Sequence, residues 1–220
     1  MSFEGQSRYS FAHQHKLMLI AMIIISLPVT AVTYFMLERP IQYALIISGI
    51  ISLGYIMPLI FRKRLRDIGF SKIILISMVW ATLPILTILD GSDIKLIILL
   101  FAEHFFFIFA LTLPFDVRDQ ELDNKAQVSN LANTIGLHKL KVLLILCITL
   151  AAVANVLLYL LGYYNILILT LTLLMILAQL ISTIKLSSTK GELYYLFYLD
   201  SFILIKGLIY WLGVSGSQAF

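Results

Sequence analysis

Seven stretches of this chain are apolar for 17 to 21 residues at a time: 17–37, 41–61, 73–89, 96–115, 142–162, 166–184 and 193–212. A helix rises 1.5 Å per residue, so each reaches across most or all of a hydrocarbon layer about 30 Å thick. In hydrocarbon every backbone N–H and C=O must find its partner inside the segment, and a helix does this. The chain is therefore expected to be an all-α polytopic membrane protein with about seven transmembrane helices. Only 13% of its 220 residues are charged, about half the share of a soluble domain, and none of it reads as a separate soluble domain. Residues 1–16 form a polar N-terminal leader and 17–220 the transmembrane domain. The first stretch is too long for a signal-peptide core and is read as a retained helix, with Pro28 tolerated inside it.

Charge sets the orientation. With the N-terminus in the cytoplasm, the inner segments hold Arg8, Lys16, Arg62, Lys63, Arg64, Arg66, Lys72, Arg118, Lys125, Lys139, Lys141, Lys185 and Lys190. The outer segments hold only Arg39 and Lys95. The positive-inside rule then predicts an N-terminus in the cytoplasm and a C-terminus outside, and the expected location is the cytoplasmic (inner) membrane. These cations sit beside spans rather than in one patch, so the net charge of +4 points to no nucleic-acid partner.

Between the fourth and fifth spans runs Asp116-Val117-Arg118-Asp119-Gln120-Glu121-Leu122-Asp123-Asn124-Lys125. Asp116, Asp119 and Asp123 stand at i, i+3 and i+7, one face of a helix. Carboxylates so crowded call for a cation among them. Hard oxygen ligands suit magnesium, which is commonly shared between protein carboxylates and substrate phosphates. A solvated, charged connector fits the same spacing. The basic stretch Arg62 to Lys72 faces the same side, and together the two suit a phosphate or diphosphate whose tail lies in lipid. The connector itself is expected to be a long polar loop over Asp116–Lys141 with short helices, stopped near Gly136.

Ionisable groups inside spans are costly and often functional. Glu103 of the fourth span and Lys206 of the seventh lie at similar depth, which predicts a pair. His104 is expected to be a hydrogen-bonded packing residue. Asp200 lies near the inner end of the seventh span and is a cavity candidate, with an interhelical hydrogen bond as the plainer role. Of Phe105, Phe106, Phe107 and Phe109, most are expected to pack or face lipid, because such a run points all round a helix.

The acidic stretch Asp116–Asp123 is similar to the second aspartate-rich motif of the UbiA superfamily of intramembrane prenyltransferases. The segment Tyr55 to Lys72 resembles that family too: a span ending in tyrosine and proline, then a basic loop, then a short span with Trp80. The resemblance implies a UbiA-like bundle, with the seven spans matching family helices three to nine. The first aspartate-rich motif and the first two family helices have no counterpart here: an upstream segment or a partner chain would supply them, or the chain is a shortened, degenerate relative that binds a lipid without catalysis. By this likeness Asp116, Asp119 and Asp123 hold Mg2+ on an isoprenoid diphosphate. Arg62, Lys63, Arg64, Lys72, Arg118 and Lys125 help neutralise that diphosphate, and Tyr55 faces the cavity with Asp200. The reaction implied is prenyl transfer to an aromatic or other hydrophobic acceptor.

A second class stays open: a non-catalytic membrane protein that binds an isoprenoid or lipid phosphate, or an assembly subunit. A transporter is less well supported, since no internal repeat stands out. A phosphatidyltransferase of the CDP-alcohol type needs an Asp-Gly pair followed by Ala-Arg, which Asp116-Val117-Arg118 does not provide. The single cysteine, Cys147, excludes an intramolecular disulfide.

Overall fold

Apolar runs with hydroxyls, amides and few charges became helices throughout the described part of the chain. The computed structural model describes residues 13–56, 71–86, 88, 92–125, 130–186 and 194–217, and contains no strand among them. The helices are α1 (Lys16–Met36), α2 (Arg39–Ile56), α3 (Ser71–Leu86), α4 (Ile94–Lys125), α5 (Leu131–Leu160), α6 (Ile166–Ile184) and α7 (Ser201–Ser217), the last preceded by a π-helical turn at Tyr194–Leu199. Among the described residues each expected span overlaps one of them, the last also taking in the π-helical turn. Four, α1, α4, α5 and α6, are long and apolar enough to cross a membrane, whereas α2 and α3 are shorter apolar helices. With a mean hydropathy of +0.97, the chain is a helical membrane protein.

The chain divides into two compact units, Met1–Tyr43 and Ala44–Phe220, with the division inside α2. In the first unit, α1 buries no residue and runs unbroken through Pro28. Its hydroxyls turn back onto their own helix: Ser26, Thr30 and Thr33 donate to the carbonyls of Ile23, Ser26 and Val29, each at 2.9 Å. That satisfies them without water, as hydrocarbon requires. Gln42 ties the turn that follows, donating Nε2 to the carbonyls of Tyr34 and Leu37 at 3.0 and 2.9 Å.

The second unit is built around α4, which packs against α3 and α5, while α6 follows α5 and α7 follows α6. α3 turns a stripe of Ile73, Ser77, Ala81 and Ile85 inward, one residue per turn. α5 buries Leu140, Leu144, Cys147, Ile148, Ala151, Ala154, Asn155 and Leu158, again at helical spacing. In lipid, little hydrophobic force separates these faces from the others; close packing and polar contacts hold them. Gly213 of α7 shows how close: a Cβ there would collide with Ile168 of α6, and its carbonyl accepts from Asn165 Nδ2 at 3.1 Å. Of the aromatic run, Phe107 and Phe109 are buried, and Phe105 and Phe106 are half-buried against the core.

The long polar loop expected over Asp116–Lys141 is not present. α4 continues as helix to Lys125, and α5 begins at Leu131. At 32 residues α4 is about 48 Å long, more than the hydrocarbon layer needs. Its acidic last turns therefore emerge as helix rather than unwind. The expected stop at Gly136 holds: φ is +79° and ψ 158°, so a short first turn of α5 is set at an angle to the long remainder.

Candidate functional site

The continuation of α4 puts Asp116, Asp119 and Asp123 on one helical face, but each carboxylate is engaged differently. Asp116 is 1% exposed. Its Oδ1 pairs with Lys72 Nζ of α3 at 2.7 Å, and its Oδ2 accepts from the Leu131 amide of α5 at 3.0 Å. One buried carboxylate thus joins three helices. Asp119 is held by its neighbour in a two-pronged pair, Arg118 Nε to Oδ1 at 2.7 Å and Nη2 to Oδ2 at 3.0 Å. The guanidinium lies over the rings of Phe115 and Tyr195, at 4.8 and 5.7 Å from their centroids. Such a planar cation is well suited both to the fork and to the stack.

Asp123 accepts from Asn130 Nδ2 at 2.7 Å. That same nitrogen donates to the Asp116 carbonyl at 2.9 Å. The other end of the Asn130 side chain caps α5, accepting from the Ala132 amide at 2.8 Å and the Asn133 amide at 3.4 Å. Asn133 adds a bond to Asn124 at 2.7 Å. Asn130 is thus the residue that folds α5 back onto the acidic face. Its signal in the sequence is an asparagine just before an apolar periodic run, the mark of a helix start.

The cations expected among the carboxylates are Lys72 and Arg118. Among the described residues, no three His, Cys, Asp or Glu side chains converge to hold a metal ion. Asp119 keeps a quarter of its side chain exposed, Asp123 is half-buried, and Glu121 and Lys125 are exposed. Asp200 is exposed. Arg62, Lys63, Arg64 and the Tyr55 side chain lie outside the described residues.

A second polar centre lies within the apolar length of α4. Glu103 is fully buried. Its Oε2 meets Lys206 Nζ of α7 at 2.8 Å, the pairing that matched depth predicted. The same oxygen accepts from Tyr210 OH at 3.2 Å and lies 2.8 Å from His104 Nδ1, and Oε1 accepts from Asn155 Nδ2 of α5 at 3.1 Å. Lys206 Nζ also sits 4.1 Å from the centroid of the Phe107 ring. Tyr164, in the connection after α5, hydrogen-bonds Tyr210 through the hydroxyls at 3.0 Å. Tyr210 and Asn155 do not follow from pairing depths alone. Tyr210 falls one turn after Lys206, and Asn155 is the single amide in the apolar body of α5, which are the signals that point to them.

At the α4 end nearest this centre, Asp93 accepts from the Lys95 amide at 3.0 Å and from the Tyr163 hydroxyl. The tyrosine bond, and then the amide, hold the Asp93 carboxyl below its ordinary range, and the same bond raises the Tyr163 phenol. Searches among protein families, curated proteins and solved structures match nothing to this chain.

Proposed function

We propose that this chain is a UbiA-like intramembrane protein of about seven helices that binds an isoprenoid diphosphate at the cytoplasmic end of α4. The observation that carries the reading is the interleaving of acid and base there: Lys72 on Asp116 and Arg118 on Asp119, at the point where α4 leaves the hydrocarbon. A diphosphate brings negative charge for Lys72, Arg118 and Lys125, and for the basic residues Arg62, Lys63 and Arg64 that precede α3. Magnesium supplied with the ligand would be held by Asp119 and Asp123, with Asp116 joining as Lys72 turns to the phosphate. Such a metal acts as a Lewis acid on the diphosphate leaving group, and the implied reaction is prenyl transfer to a hydrophobic acceptor. Asp200 and Tyr55 are the proposed wall residues for that acceptor.

A second reading is binding without transfer. It is favoured by Asp116, whose two oxygens are committed to Lys72 and to the α5 amide, leaving a smaller oxygen set for a metal. One experiment addresses both. Binding of a farnesyl or geranylgeranyl diphosphate to purified protein is measured with and without magnesium, alongside prenyl transfer. Asp119→Asn weakens binding about 10- to 100-fold in magnesium and little without it, whereas Glu121→Gln, off the shared face, changes it little. Equal effects of the two substitutions, or no magnesium dependence, overturn the metal site. Binding without turnover selects the second reading.

A further inference from the structure

The arginine at the end of α4 has two supports of different kinds. One is the fork to Asp119, with bonds of 2.7 and 3.0 Å. The other is aromatic. Phe115 precedes Arg118 by three residues, about one helical turn, and its ring centroid lies 4.8 Å from Arg118 Cζ. Tyr195 comes from the π-helical turn, and its ring centroid lies 5.7 Å from the same atom. The two centroids are only 5.9 Å apart. Rings on opposite faces of the guanidinium would be separated by nearly the two distances together. Both rings therefore lie to one side of it, as a floor.

That floor is fixed. Tyr195 is the largest fully buried side chain among the described residues. The ring of Tyr194 meets it edge-on at 5.2 Å, and Phe115 is half-buried against the core. In a close-packed interior such rings have no room to swing aside. Arg118 keeps 18% of its side chain exposed, so a rigid floor carries a partly accessible cation. Single π-helical turns occur often at functional sites, and here that turn is the element that brings Tyr195 against α4.

We propose that Phe115 and Tyr195 are positioning residues for Arg118: they keep its guanidinium in place for a diphosphate when Asp119 turns to the magnesium that the ligand brings. This rests on the reading of the α4 end as a diphosphate site. The fork is the support that ligand binding withdraws, because Asp119 is one of the carboxylates proposed for the metal. The rings are no ligands for magnesium, so the floor stays. A guanidinium lying over an aromatic face keeps its N–H groups in its own plane, at the edge where an anion is met. Without the floor, a long flexible side chain would have to be ordered as the ligand binds, which costs affinity.

The test is binding of farnesyl diphosphate and of inorganic pyrophosphate to the full chain in phosphatidylcholine nanodiscs, each with and without magnesium. Tyr195→Leu should weaken both ligands about 5- to 30-fold in magnesium, the range of a largely desolvated cation–ring contact, and clearly less without it, where Asp119 still holds the guanidinium. Tyr195→Phe, which keeps the ring, should bind as the wild type does. Phe115→Leu should repeat the effect of Tyr195→Leu, and it decides if Tyr195→Leu fails to fold. Equal losses with and without magnesium would give the rings a purely structural role. A loss in Tyr195→Phe would assign the effect to the hydroxyl, and a loss for farnesyl diphosphate alone would make the rings a contact for its tail. Each of these overturns the proposal and leaves the diphosphate site standing, as does wild-type affinity in both leucine variants. A wild-type chain that binds neither ligand overturns the diphosphate site itself, and this inference with it.

Discussion

Glu103 illustrates what a single charge requires inside a bilayer. Its carboxylate is fully buried, and it is tolerable only because Lys206 neutralises it and three further donors surround it. Removing one partner of a buried pair leaves an uncompensated charge, which typically costs about 3–5 kcal/mol. Lys206→Met is therefore expected to destabilise the fold by about that amount in detergent-denaturation measurements, and Lys206→Met combined with Glu103→Gln to recover a large part of it. A double variant no better than the single one removes the pair from the account. Asp93 and Tyr163 act at the surface, where pH reaches them. The Asp93 carboxyl is lowered by its hydrogen bond to Tyr163, so its contribution is present above the ordinary value of about 3.8 and is lost as pH falls through the lowered one. Tyr163 is raised by the same bond, so its contribution is present below about 10 and is lost as pH rises through the raised value. Tyr163→Phe should therefore flatten the pH dependence of stability at both ends and leave the neutral range without slope. A wild-type profile that is already flat in both limbs counts against this bond.

At the scale of elements, α5 depends on two residues at its start. Gly136 has φ +79° and ψ 158°, a conformation accessible almost only to glycine. Gly136→Ala is expected to cost about 1–3 kcal/mol although no side chain stands in the way of the added methyl. The measurement is denaturation midpoint in detergent; an unchanged midpoint would show that the helix can straighten here without loss. Six residues earlier, Asn130 caps α5 and reaches both Asp116 and Asp123 of α4. Much of this was legible: the glycine stop and the asparagine before an apolar run are start and stop signals. The length of α4 was not, because ten residues, eight of them polar, read as loop. They remain helical since Asn130, Arg118 and Lys72 neutralise or bond the acids that would otherwise repel.

For the whole molecule, the test is topology. The cation asymmetry and α4 as a membrane span place Ser92 and Lys125 on opposite sides. Reporter fusions after each should report different compartments, with the Lys125 fusion cytoplasmic. The same compartment for both sinks the span assignment for α4. The bundle explains why that helix matters most: it packs against α3 and α5, and its side chains reach Lys206 and Tyr210 of α7 and Tyr195 of the π-helical turn. Both polar centres hang on it, about 20 Å apart along one axis.

The sequence by itself determined the class and the depths. Apolar length fixes where helices lie, helical period fixes which residues share a face, and position in a span fixes how deep a charge sits; Glu103 and Lys206 were paired on depth alone. These are properties of one chain read along its axis. Tertiary structure decided the directions around that axis. That Asp116 faces Lys72 and the α5 amide, that Asp119 turns to Arg118, and that Asn155 and Tyr210 complete the Glu103 centre depend on how each helix is rotated against its neighbours. In lipid that rotation is set by close packing, as at Gly213 against Ile168, and by polar contacts, because hydrophobicity no longer distinguishes one face from another.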